Sequence, residues 1–176
     1  DVSTRMAAFR TGKLDLAHLV TADDAKSLKK TAQWINIGQQ RTPFPMGISL
    51  RADKLELPYK DIRVRQALTM ATDFDSIVNQ YYAGDAVKMA WPVGPSKSQT
   101  GAYWPFDTLP QNVKDLYTYN PDKAKQLLKD AGFPAMKVKI IVQNAQAIID
   151  LISIIKDQWS KVGVELEIQT KDAGAY

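Results

Sequence analysis

Nucleophilic and metal chemistry have little to work with in this sequence. Of its 176 residues one is a histidine, His18, and none is a cysteine. Zinc sites and His-based triads need imidazoles in clusters or beside a nucleophile, and thiolate sites need cysteine, so no catalytic residue, metal ligand set or cofactor is expected. Paired acids occur at Asp23-Asp24 and at Asp73 with Asp75. Both pairs stand where helices should begin, and the positive end of a helix dipole accounts for them. Phosphate cradles of the Gly-x-Gly-x-x-Gly or Gly-Lys-Ser/Thr type do not occur. His18 falls in a short apolar run and is read as a structural histidine.

The side chains with something to offer are binding groups. Trp91, Tyr103, Trp104 and Phe106 are set among Pro92, Gly94, Pro95, Gly101 and Pro105. Flat apolar faces with polar edges suit an extended peptide or a sugar, and prolines that hold the main chain open leave its polar groups for a ligand backbone. Two readings of these aromatics stand side by side: they line a cleft, or they form a small satellite core beneath a long loop. A second set is Asp61-Ile62-Arg63-Val64-Arg65-Gln66-Ala67-Leu68. Val64, Ala67 and Leu68 share one helix face, and Arg63 and Arg65 leave on others with their stems over apolar surface. Asp61 and Asp73 are expected to cap helices, and Arg65 is expected to pair with a helix-capping carboxylate such as Asp73 ahead of contacting a ligand.

The elements that must position these groups alternate along the chain. Val2, Met6 and Phe9 recur at helical spacing up to Gly12, and Thr21 with Asp24 forms a loose capping box before a helix over about 22–31. Asp15 to Val20, Trp34 to Ile37 and Ile48 to Leu50 have strand composition. Trp34 and Trp159 are expected in the core. Two consecutive helices follow, one capped by Asp61 and one starting at Thr72-Asp73 and running to Gly84. Residues 85–119 lose all periodicity and are read as a long irregular loop, a length that usually signals function. Asn120, Pro121 and Asp122 then open a helix with Ala124, Leu127, Leu128 and Ala131 on one face. Val138, Ile140 and Val142 alternate as a strand, Ile148 to Val162 repeat as a helix, and Val164, Leu166 and Ile168 alternate again. That order predicts a βαβ unit with parallel strands, and hence an α/β fold with flanking helices. No linker divides the chain, so residues 1–176 are read as one lobe.

Composition bounds the partners. The net charge of +4 with 45% hydrophobic and 24% charged residues fits an ordinary globular domain. A nucleic-acid-binding module draws on the pI of 9.2 and on Trp91 and Trp104 as stacking platforms, but no dense Lys/Arg stripe accompanies them. A small α/β enzyme rests on the βαβ unit alone, and fold does not confer function. No window approaches the run of about eighteen apolar residues that a membrane span needs, and Asp1 to Arg5 lacks the features of a signal peptide.

Four stretches, in order, carry a resemblance. Phe9-Arg10-Thr11-Gly12-Lys13-Leu14-Asp15 is similar to a "large apolar residue, then Gly-x-hydrophobic-Asp" element. Asp61 to Leu68, continuing through Ala71-Thr72-Asp73 to Tyr82-Ala83-Gly84, resembles the signature of the family 5 extracellular solute-binding proteins, the oligopeptide-, dipeptide- and nickel-type receptors of ABC importers. Tyr119 to Gly132 resembles that family's "Tyr-Asn-Pro-x-x-Ala-x-x-Leu-Leu-x-x-Ala-Gly" helix, and Ile155 to Ile168 its penultimate helix and strand. The resemblance implies part of the second lobe of a two-lobed receptor with a type II periplasmic-binding-protein-like fold, its α/β lobe built on a mixed sheet. It further implies a monomeric, non-enzymatic protein, periplasmic or extracellular and in some members lipid-anchored. Such a receptor takes a small-molecule or peptide solute, most often a peptide, and passes it to an ABC permease once the lobes have closed. It implies no nucleic acid and no membrane span of its own.

Overall fold

A computed structural model of the chain describes residues 2–18, 20–38, 46–88, 101–172 and 174. It divides into two compact units, Asp1–Arg41 and Thr42–Tyr176. In the first, α1 (Val2–Arg10) ends where Gly12 takes φ +71°, and the backbone N–H of Lys13 reaches back to the Ala8 carbonyl at 2.9 Å. Glycine meets that left-handed turn without steric cost. Thr21 caps α2 (Ala22–Thr31), accepting from the Asp24 N–H at 3.1 Å while its hydroxyl donates to the Asp24 carboxylate at 2.8 Å. Met6, Phe9, Leu28, Ala32 and Ile35 close a small core.

Two expected strands are missing from this unit for one reason. Residues 15–18 and 20, and residues 34–37, have no ladder partner beside them among the described residues, and strand composition alone supplies no backbone hydrogen bonds. Without a sheet to hold it, His18 is exposed. Trp34 lies against Phe9 with ring centroids 6.2 Å apart but stays 61% exposed, so it is not a core residue.

The second unit is built on a larger core. Val64, Ala67 and Leu68 of α3 (Ile62–Met70) are buried, as their spacing predicts, together with Met70. α3 packs on α6 (Pro121–Asp130), whose cap Asn120 accepts from the Lys123 N–H at 3.0 Å and donates its own N–H to the Met70 carbonyl at 2.9 Å. The βαβ unit follows: β1 (Met136–Gln143), α7 (Gln146–Ser160) and β2 (Val164–Lys171). The strands pair in parallel from Met136 opposite Val164 to Gln143 opposite Lys171, and they form the one sheet among the described residues. α7 buries Leu151, Ile152, Ile155 and, as expected, Trp159. Each such apolar side chain contributes roughly 1.5–3 kcal/mol of transfer free energy. At the turn into β2, Gly163 has φ +87°, and a Cβ there would stand 2.5 Å from the Pro134 carbonyl oxygen. This close approach lets the Gly163 carbonyl accept from the Met136 N–H at 3.0 Å and set the strand register.

Ile48 and Leu50 pack on this core, again without the expected ladder. The helix expected from Thr72 to Gly84 is one α-turn, α4 (Phe74–Ser76), continued as a π-helix over Ile77–Tyr81. It ends with Ala83 at φ +51° and Gly84 at φ +83°. Within the run expected to be irregular, Phe106–Thr108 forms a 3₁₀ turn and Gln111–Leu116 forms α5. Pro110 precedes α5 with φ −55°, and a helix of 6 residues is too short for an apolar period to show in the sequence.

Candidate functional site

In the Asp61 to Asp73 stretch the polar side chains bond within the protein. Asp61 caps α3 through the Arg63 N–H at 2.8 Å and takes the Arg63 guanidinium at 2.6 Å. The guanidinium bonds, and then the backbone one, hold the Asp61 carboxyl below the usual carboxylate range. Arg63 also donates to the Asp130 carbonyl at 2.7 Å, tying the start of α3 to the end of α6. Arg65 does not take the role expected of it. Its guanidinium donates to the carbonyls of Tyr59 at 2.6 Å and Lys60 at 3.0 Å, closing the 3₁₀ turn Pro58–Lys60. Carbonyls at the end of a short helical turn need partners, and these lie nearer along the chain than Asp73, which is engaged elsewhere. Asp73 caps α4 through the Ser76 N–H at 2.9 Å, and its own N–H donates to the buried Gln158 side chain at 2.9 Å. Beside it the Trp159 indole donates to the Thr72 hydroxyl at 3.0 Å, which donates in turn to the Leu68 carbonyl at 2.9 Å. Gln66 is half-buried on α3. Buried polar atoms satisfied in this way lock α7 to the junction of α3 and α4.

The aromatic set is arranged differently. Trp91 lies outside the described residues. Phe106 stands edge-on to Tyr117, centroids 6.0 Å apart at 87°, and Tyr117 packs on Phe74 at 5.6 Å. Lys88 places its ammonium 4.8 Å from the Phe106 centroid and 2.9 Å from the Asp75 carboxylate. This small aromatic cluster joins four separate stretches of chain. Tyr103 is half-buried, and Trp104 is 58% exposed. Phe106 is half-buried among these rings, whereas Trp104 presents an open face. The Thr108 hydroxyl donates to the Pro105 carbonyl at 2.7 Å, and Lys114 donates to the Asp107 carbonyl at 2.7 Å, so the backbone next to Trp104 is tied down. Phe74, Tyr117 and Lys88 had no sequence signal beyond their residue types, since nothing in their spacing points at Phe106.

A second aromatic pair stands at the end of the π-helix. Tyr81 and Tyr82 meet edge-on at 4.9 Å, with the Tyr81 hydroxyl donating to the Ala147 carbonyl at 2.8 Å. Burial pushes both phenols up from their ordinary range. Among the described residues no group of three or more His, Cys, Asp or Glu side chains could hold a metal ion, and no helix is long and apolar enough to cross a membrane.

Comparison with known proteins finds relatives along the whole chain. The family model described as "Bacterial extracellular solute-binding proteins, family 5 Middle" matches residues 1–176. The dipeptide-binding protein of Escherichia coli strain K12 is 35% identical over 128 residues, 68% of this chain and 22% of that protein. Heme-binding protein A of Haemophilus influenzae is 27% identical over 185 aligned positions, 100% of this chain and 31% of that protein. Among solved structures, the periplasmic binding protein DppA from Helicobacter pylori in complex with the peptide STSA superposes with a TM-score of 0.77 at 25% identity. The match covers 98% of this chain and 31% of that one. The chain therefore spans about a third of the length of such relatives, and its architecture is part of a periplasmic-binding-protein fold.

Proposed function

Because the chain belongs to the bacterial extracellular solute-binding proteins of family 5, a family of binding receptors and not of enzymes, we propose that it supplies one wall of a solute cleft for ABC-transporter-mediated uptake. The solute we infer is a peptide. Trp104 carries this reading: a large aromatic face, 58% exposed, stands on backbone fixed by the Thr108 and Lys114 hydrogen bonds. An indole turns about only two side-chain bonds, so it loses little entropy when a ligand covers it, and it accepts varied side chains without charge selection. Tyr103 beside it adds a half-buried ring. The peptide and dipeptide relatives favour peptides, while the heme-binding relative marks another solute class.

Residues 1–176 act in this reading as part of one lobe of a monomeric periplasmic or extracellular receptor, whose closed form the permease recognises. The nucleic-acid reading is disfavoured by charge pairing on the sheet. There Lys137 and Lys139 are matched across the strands with Glu165 at 3.0 Å and Glu167 at 3.6 Å, which leaves no unbalanced basic stripe on that face for phosphates. One wall buries only part of a ligand, so the 176-residue chain alone should bind peptides far more weakly than the intact receptor. Titration calorimetry of both with a tryptic digest of casein tests this. Affinity of about 1 μM or tighter for the chain alone contradicts the one-wall reading.

A further inference from the structure

We propose that Lys88 is a positioning residue for the aromatic wall, and that its ammonium, held between Asp75 and the Phe106 ring, fixes how the Tyr103 to Phe106 segment is presented. This rests on the reading of that segment as solute-facing. The asymmetry of the ion pair is the first sign. The Lys88 side chain is 18% exposed while that of Asp75 is 65% exposed, so the lysine, the residue type that most readily stays in water, is the less exposed partner. Charge and quadrupole both meet the ammonium, with the carboxylate at 2.9 Å and the ring centroid at 4.8 Å.

The second sign is what the ring is attached to. Phe106 opens a 3₁₀ turn directly after Pro105, which has φ −56° and ψ 139°. Proline fixes its own φ and restricts the residue before it, so fewer backbone torsions are free between Phe106 and Trp104. On its other edge Phe106 meets Tyr117, itself packed on Phe74, the residue next to Asp75. Lys88 therefore closes a ring of contacts: Asp75, Lys88, Phe106, Tyr117 and Phe74. Without the ammonium, Asp75 has no counterion in this ring and Phe106 keeps a single aromatic neighbour among the described residues.

The test compares the wild-type receptor with Lys88→Met, which keeps most of the stem, and Lys88→Arg, which restores charge and cation–π contact. Amide hydrogen exchange reads the Thr108 and Leu109 N–H groups, which bond to the Pro105 and Phe106 carbonyls at 2.9 and 3.1 Å. Lys88→Met should speed both by about tenfold, with β1 and α6 unchanged, and Lys88→Arg should return them to within about twofold of wild type. Unchanged exchange in Lys88→Met overturns the proposal whatever the solute. Native mass spectrometry of casein peptides retained by the intact receptor supplies the second readout, with Trp104→Ala as the control. Loss of retention in both Lys88→Met and Trp104→Ala supports the positioning role. Loss in Trp104→Ala alone overturns it. Retention unchanged in both, with exchange raised in Lys88→Met, removes the solute-facing reading and leaves Lys88 as the pin of the segment.

Discussion

The βαβ body and the aromatic stretch from Tyr103 to Tyr117 are held by different physics. In the body, side chains at regular spacing bury together, and the polar atoms carried inside with them are paired, as Trp159 is with Thr72 and Gln158 with Asp73. In the aromatic stretch a few ring edges and one ammonium join distant points of the chain, and Trp104 is left open. The first arrangement resists deformation. The second holds a surface in place at low cost in buried area, which suits a wall that a ligand must reach.

The contrast is tested most severely at Gly163. Gly163→Ala sets a Cβ against backbone, 2.5 Å from the Pro134 carbonyl oxygen, at φ +87°, so neither side can yield without moving β1. A loss of about 2–4 kcal/mol is expected in urea unfolding. Next comes Trp159→Phe, which removes the indole donor from the buried Thr72 hydroxyl and leaves a small cavity. About 2 kcal/mol should be lost, and much less in a Thr72→Val background, because the two residues share one bond.

A smaller effect sharpens the contrast at the exposed cap. Arg63 lowers the folded pKa of Asp61, so the cap's contribution is present above the unfolded carboxyl value of about 4 and is lost as pH falls through the lower folded value. Thermal melts between about pH 5 and about pH 2 should show a shallower acid decline in Asp61→Asn than in wild type. An identical slope would remove the cap from the account.

The body was largely legible in the sequence because burial with a period leaves a pattern. Asn120-Pro121, the α7 stripe and the alternating strands on either side of it each announce an element, and Asp61 and Asp73 cap where the spacing puts them. Strands without neighbours were not legible: Trp34 to Ile37 and Ile48 to Leu50 have the composition but lack ladder partners among the described residues. Arg65 went to nearby carbonyls that composition cannot reveal. Most of the aromatic set is a matter of tertiary proximity. Lys88 and Phe106 meet across a stretch with no period, so only the fold brings them together.

Solute contact at Trp104 is open to direct measurement. Calorimetric titration of casein peptides into the intact receptor and its Trp104→Ala variant tests it most directly. With the indole already exposed, the variant should melt close to wild type while its peptide affinity falls by about tenfold or more. Equal affinity in the two proteins would contradict the account.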